Sequence, residues 1–264
     1  MAPRYTPLEM LSRLVSFDTT SRNSNLPLID FVAGYLDAHG VAYSRVPSDD
    51  GAKENLWATV GPPGDGGVVL SGHTDVVPVD GQSWETEPFE LTRRGDRVYG
   101  RGTTDMKSFS AVALALVPEF AARPLKRPIH IALSYDEEVG CLGAPRLVDH
   151  IVQTGQRPMA VIVGEPTSMR VVNAHKAVHV FKTEITGREA HSSATHLGAN
   201  AIAAAARLMG ALAEMGDELR AAGDPSGRFD PPYTTLSVTQ IEGGTAVNII
   251  PKSCAFAWDC RLLP

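Results

Sequence analysis

Between Tyr5 and Glu165, short continuous apolar runs alternate with amphipathic segments. The runs "NLWATVG", "GVVLSGHTDVV", "PIHIALSY" and "MAVIVGEP" are rich in β-branched residues, as strands buried on both faces are. Helices are predicted between them. "TPLE" at Thr6–Glu9 is a capping box with Pro7 at the first helical position. A second helix is expected from about Leu26 to a stop at Gly40. "SFSAVALALVPEF", following Asp105, and "GAPRLVDHIVQTG" supply two more, and "GPPGDGG" at Gly61–Gly67 is turn material. Apolar strands alternating with helices predict an α/β layer around a largely parallel central sheet.

The texture changes near His175. "AVHVFKTEITG" alternates like a strand with one buried face, and an Ala-rich helix follows over roughly Gly198–Ala222. "TTLSVTQIEGGTAVNIIPKSCAFAWDC" then reads as two strands with a Gly-rich connection. This β-α-β-β order predicts a smaller antiparallel α+β domain. The expected division is residues 1–177 and 178–264.

Composition narrows the function classes. The 264 residues are 43% apolar and 20% charged, enough for a full core. A formal net charge of −6 and the lack of a Lys/Arg-rich stripe argue against nucleic acid as a partner. No apolar run approaches the length of a membrane span, and "MAPRYTPLEM" has no signal-peptide core. Cys141, Cys254 and Cys260 form no C-x-x-C pair, which suits reduced thiols and a cytoplasmic location.

The polar exceptions to the apolar pattern fall at strand ends. His73 and Asp75 end one run, Glu137 and Glu138 another, and Glu165 a third, while Asp105 lies between "RVYG" and a helix. Singly, each has an ordinary explanation: a helix N-cap for Asp105, a solvated loop pair for Glu137 and Glu138, turn chemistry for Glu165. Together they predict one crevice beyond the carboxyl ends of the strands. Carboxylates gathered there raise one another's pKa values unless a cation neutralises them, so one His among several acids suits a divalent metal site. Cys141 is expected to be a small packed thiol rather than a ligand.

"SGHTDVVP", "GRGTTDMKSF", "DEEVGCLGA" and "GEPT" resemble the four metal-site motifs of the M20 family of metallo-amidohydrolases. "LVSFDTTSRNSNLPLIDFVAGYL" and "GEPTSMRVVNAHKA" resemble its acetylornithine deacetylase branch most closely. The resemblance implies a zinc-peptidase-like catalytic domain with a smaller lid and dimerisation domain. It implies His73 and Glu165 as ligands of a first metal, Glu138 of a second, and Asp105 as the bridge between them. Asp75 would orient His73, Glu137 would be the general base, and the Asp105–Met106 peptide would be cis. The implied cofactor is Zn2+, one or two ions per subunit, with Co2+ or Mn2+ as substitutes.

In the smaller domain the resemblance implies that His191 reaches the active site of the other subunit of a homodimer and stabilises an oxyanion. Asn248 and Arg261 would bind the substrate, a small N-acyl amino acid. The implied reaction is hydrolysis of N2-acetylornithine to ornithine and acetate. Alternatives are desuccinylation of succinyl-diaminopimelate, hydrolysis of another N-acyl amino acid, or a truncated chain that binds metal or dimerises without turnover. The last arises because family members carry a further C-terminal segment that completes the lid and gives a second-metal His, which this sequence does not match.

Overall fold

The computed structural model describes residues 2–264, and the chain divides into two compact units between Met169 and Arg170. The loop ahead of Ala177 thus groups with the second unit, and the strand opening that unit starts at Ala177 itself.

The first unit opens with α1 (Pro7–Val15), where the Thr6 N–H donates to the Glu9 carboxylate at 2.7 Å and the Glu9 N–H to Thr6 Oγ1 at 3.3 Å. There follow α2 (Leu26–Ala38), β1 (Ala42–Pro47), β2 (Glu54–Val60), β3 (Val68–His73), the hairpin β4 (Thr92–Arg94) and β5 (Arg97–Tyr99), α3 (Lys107–Ala115), α4 (Val117–Ala122), β6 (Ile129–Ser134), α5 (Ala144–Thr154) and β7 (Ala160–Val163). The helix expected in one piece after Asp105 is divided at Leu116. Pro118 has no N–H to give Leu114, and its ring crowds that carbonyl.

The central sheet has the order β1-β2-β6-β3-β7 and is mixed, not largely parallel. β3 runs parallel to β6 and β7, while β2 is antiparallel to both β1 and β6. Connection length explains this. A short turn joins β1 to β2, and the Gly61–Gly67 loop brings β3 back antiparallel to β2, leaving a gap that β6 fills. Leu56, Ala58, Ile131 and Leu133 pack against Met10, Leu14, Ile29, Leu36 and Leu114 of α1, α2 and α3. Trp57, Val69 and Ala132, on the opposite face, pack against Leu147 of α5. The result is a three-layer α/β fold.

The second unit contains β8 (Ala177–Thr186), β9 (Ala190–His191), α6 (Ala201–Ala222), β10 (Thr235–Gly243), β11 (Ile249–Ile250) and β12 (Ser253–Leu262). β12 is the centre of an antiparallel sheet, β10-β12-β8. Asn200 caps α6 by accepting from the Ala203 N–H at 2.9 Å. Ala201 and Ala205 of α6 pack on Cys254 and Phe256. The alternation in β8 does not produce a buried face along its whole length. Residues from Ala177 to Lys182 are exposed, and only toward Ile185 does the strand come under the α6 cluster. Among the described residues no helix is long and apolar enough to cross a membrane.

Candidate metal centre

Parallel strands β3 and β7 end side by side, which sets His73 beside Glu165. The Gly164 N–H donates to Ser71 O at 3.0 Å, so the chain leaves β7 still held against β3. His73 is buried, 2% exposed. Its Nε2 lies 3.0 Å from Asp105 Oδ1 and 3.6 Å from Glu165 Oε1. One ligand atom from each of His73, Asp105 and Glu165 lies within 4.8 Å of the others. The site therefore brings together three of the four expected ligands, and Glu138 lies outside the group.

Asp105 reaches the site because the turn before α3 packs directly on β3. A Cβ on Gly72 would stand 2.7 Å from Ser110 Oγ and 2.8 Å from Met106 Cε, so a larger residue there would have to displace these side chains. The Asp105–Met106 peptide is cis. Lys107, the first residue of α3, is 1% exposed and donates from Nζ to Leu14 O at 3.0 Å and Phe17 O at 2.8 Å. It adds a side-chain donor to two carbonyls, one in the last turn of α1 and one just beyond it, and so ties α3 to that turn. Burial pushes its ammonium down to about 7, against the pull of Asp18 and Asp75. The only sequence signal for this anchor is a Lys two residues beyond the metal-competent Asp.

The acidic loop after β6 is held by Asp75. The Glu137 N–H donates to Asp75 Oδ1 at 3.0 Å, the Glu138 N–H to Oδ2 at 3.2 Å, and Ser21 Oγ to Oδ2 at 2.8 Å. The expected contact of Asp75 with His73 takes a different form. His73 Nδ1 is 2.9 Å from the Asp75 backbone oxygen and 3.5 Å from the carboxylate. That bond fixes the ring so that Nε2 faces the acids. Neither Ser21 nor the loop-holding role of Asp75 was legible in the sequence, because the partners lie more than fifty residues away.

The electrostatics of the cluster favour positive charge. Burial opposes protonation of His73, but the hydrogen bond to and charge of Asp75, with Glu165 and Asp105, outweigh it and raise the imidazole to about 9. Burial and the Asp105 charge push Glu138 up to about 7. Burial raises Glu165 too, helped by Asp105 and Glu137 and countered by His73. The raised groups would be relieved by a divalent ion, and the one imidazole and several carboxylates form a donor set such an ion accepts. These residues fit the metal implied by the motifs.

Cys141 departs from expectation: it is exposed, with Sγ 3.6 Å from Glu137 Oε1, because the loop turns outward with both Asp136 and Cys141 at positive φ. In the second unit, His191 of β9 pairs with Ile249 of β11, and the Ser192 N–H donates to Asn248 O at 2.9 Å. His191 and Asn248 thus share one short ribbon. His191 Nδ1 is 2.8 Å from Ser193 Oγ. Arg261, on β12, donates from Nε to Asp259 Oδ2 at 3.0 Å.

Residues 69–248 match the family described as Peptidase family M20/M25/M40. An acetylornithine deacetylase of Pasteurella multocida is 38% identical over 97% of this chain and 68% of its own length. One of Myxococcus xanthus is 39% identical over 96% and 66%. The chain thus spans about two thirds of the length of these relatives. Among solved structures, an M20 family metallo-carboxypeptidase of Sulfolobus solfataricus superposes with a TM-score of 0.77 at 18% identity, covering 98% of this chain and 72% of that one. A dinuclear metal-binding M20 peptidase of Bacillus subtilis gives 0.61 at 16% identity, covering 98% and 65%. By its motifs, fold and relatives, the chain belongs to peptidase family M20/M25/M40, a family of metal-dependent hydrolases.

Proposed function

We propose that the protein hydrolyses the amide of a small N-acyl amino acid, with N2-acetylornithine as substrate and acetate and ornithine as products. The observation that carries this reading is the convergence of His73, Asp105 and Glu165 beside a loop whose Glu137 and Glu138 amides are pinned by Asp75. Relatives named acetylornithine deacetylase support the choice of substrate.

His73, Asp105 and Glu165 would hold one divalent ion, and Glu138, with Asp105 as bridge, a second. Zn2+ is the ion of choice, and Co2+ or Mn2+ also suit these donors. When bound, such an ion supplies Lewis acidity and lowers the pKa of a water molecule. Glu137 is left free to act as base. It takes a proton from the attacking water and passes it to the leaving nitrogen as the amide C–N bond breaks. His191 would stabilise the developing oxyanion from the other subunit of a homodimer. Asn248 would bind substrate, and Arg261 its carboxylate in a bidentate pair.

The test is a zinc titration of this chain, followed by an N-acetylornithine hydrolysis assay on it and on Glu137→Ala. Removing a general base lowers kcat by about 10²–10⁴-fold. Glu137→Ala is expected to do so while zinc still binds. Equal activity in the variant would sink the base assignment. A second reading is metal binding without turnover, and the observation in its favour is that Glu138 lies outside the His73–Asp105–Glu165 group. It predicts zinc uptake with no hydrolysis of N-acetylornithine, N-succinyl-diaminopimelate or other N-acyl amino acids.

A further inference from the structure

Asp75 grips the Glu137–Glu138 loop from one side, and a second grip comes from a part of the chain with no role in the chemistry above. Lys53, at the end of the β1–β2 turn, places its Nζ on Asp136 Oδ1 and also on the backbone oxygen of Ser21. Both partners of the ion pair are well shielded, with side chains 16% and 12% exposed. Ser21 in turn donates from Oγ to Asp75 Oδ2 at 2.8 Å, and its N–H donates to Val76 O at 3.1 Å. The contacts close a ring: Asp136 to Lys53, Lys53 to Ser21, Ser21 to Asp75, and Asp75 to the amides of Glu137 and Glu138.

Asp136 is the residue just before the two glutamates, and it sits at φ 55, in the left-handed region. Asp adopts that region more readily than most residues, though still at a cost. A shielded cation on its carboxylate holds the turn there and so sets the direction in which Glu137 leaves the backbone. A shielded carboxylate stripped of its cation is expensive, so the turn would move to rehydrate it.

We propose that Lys53 is a positioning residue for the acidic loop, holding Glu137 and Glu138 in register with the His73–Asp105–Glu165 group through Asp136. Its effect on turnover rests on the hydrolase reading above; its effect on the loop does not. A base displaced by a fraction of an ångström loses rate rather than substrate affinity.

The experiment compares Lys53→Met, Lys53→Arg and Asp136→Asn with the unaltered chain in two measurements. Hydrogen exchange of the Tyr135–Gly143 segment is followed in metal-free protein, with β6 as internal control. Steady-state hydrolysis of N-acetylornithine is followed with zinc. Outer partners of metal sites are worth roughly 10–100-fold in function. Lys53→Met and Asp136→Asn are each expected to speed loop exchange about tenfold, leave β6 exchange unchanged, and lower kcat by a factor in that range with KM little altered. Lys53→Arg restores both measurements most of the way. Should Lys53→Met not fold, Asp136→Asn opens the same ring from its other side. Unchanged loop exchange in the folded variants overturns the proposal, as does faster exchange with unchanged kcat. An unaltered chain without hydrolysis counts against the hydrolase reading instead, and loop exchange alone then decides the role of Lys53.

Discussion

His73 meets a different neighbour at each ring nitrogen. Nδ1 faces the Asp75 carbonyl oxygen, which accepts a proton's bond and nothing else, so that nitrogen keeps its hydrogen. Nε2 faces Asp105 and Glu165, where without an ion it also holds a proton, the imidazole being raised to about 9. A metal takes the Nε2 lone pair, so binding must expel that proton. At pH 7.5 the metal-free His73 is charged, and each zinc ion bound at this site is expected to release about one proton. Glu138, raised to about 7, adds a fraction that grows as the pH falls toward its pKa. The sign follows for both linked equilibria. Stability that the metal-free fold gains from charged His73 is fully present below its unfolded value and lost as pH rises through about 9, while zinc affinity rises over the same interval. Calorimetric titration in buffers of different ionisation enthalpy counts the protons. No release at pH 7.5 would mean that His73 is neutral before the ion arrives.

β3 packs closely at Gly72 on the side chains of Ser110 and Met106. Gly72→Ala would drive its Cβ into Ser110 Oγ and Met106 Cε, shifting the turn that presents Asp105. Overpacking of this kind costs about 1–3 kcal/mol, and the metal site should feel the shift as well. The expected outcome is a lower urea midpoint for the metal-free protein and about 10–100-fold weaker zinc affinity by chelator competition. A stability loss with unaltered zinc affinity would show that Asp105 does not depend on this contact. The sequence announced the strand ends well. His73, Asp105 and Glu165 stood out because each interrupts an apolar or helical pattern, and parallel neighbours bring such ends together. What lay beyond reading was whatever depends on pairing. Nothing local to "NLWATVG" tells that β2 runs against β6. Nothing near "DEEVG" reveals Asp75 as the acceptor for two of its amides, or Lys53, 83 residues earlier, as the partner of Asp136. Burial of Lys107 runs against its residue type, and the Leu14 and Phe17 carbonyls that its Nζ reaches account for it.

Taken whole, the chain leaves in water an apolar band that its sequence would place inside. "AVIV" of β7 reads as a buried central strand, yet β7 is the edge of the sheet, with Val161, Ile162 and Val163 exposed at 57%, 50% and 58%. Val148 and Val152 of α5 are exposed as well. An edge strand offers unpaired N–H and C=O groups to any other edge, and β-branched side chains make the pairing more favourable. A net charge of −6 opposes association only weakly once salt screens it. The chain is therefore expected to self-associate with rising concentration, and more so in added salt, as sedimentation velocity can follow. Ile162→Lys puts a charge on the free edge and should shift the distribution toward monomer, while zinc binding by His73, Asp105 and Glu165 persists. A homodimer formed through the second unit would behave differently. It would survive Ile162→Lys, show one stoichiometry rather than a growing series, and respond instead to changes in β8, β10 or α6. A discrete dimer indifferent to Ile162→Lys would thus remove β7 as the sticky edge and support the subunit exchange of His191 proposed above.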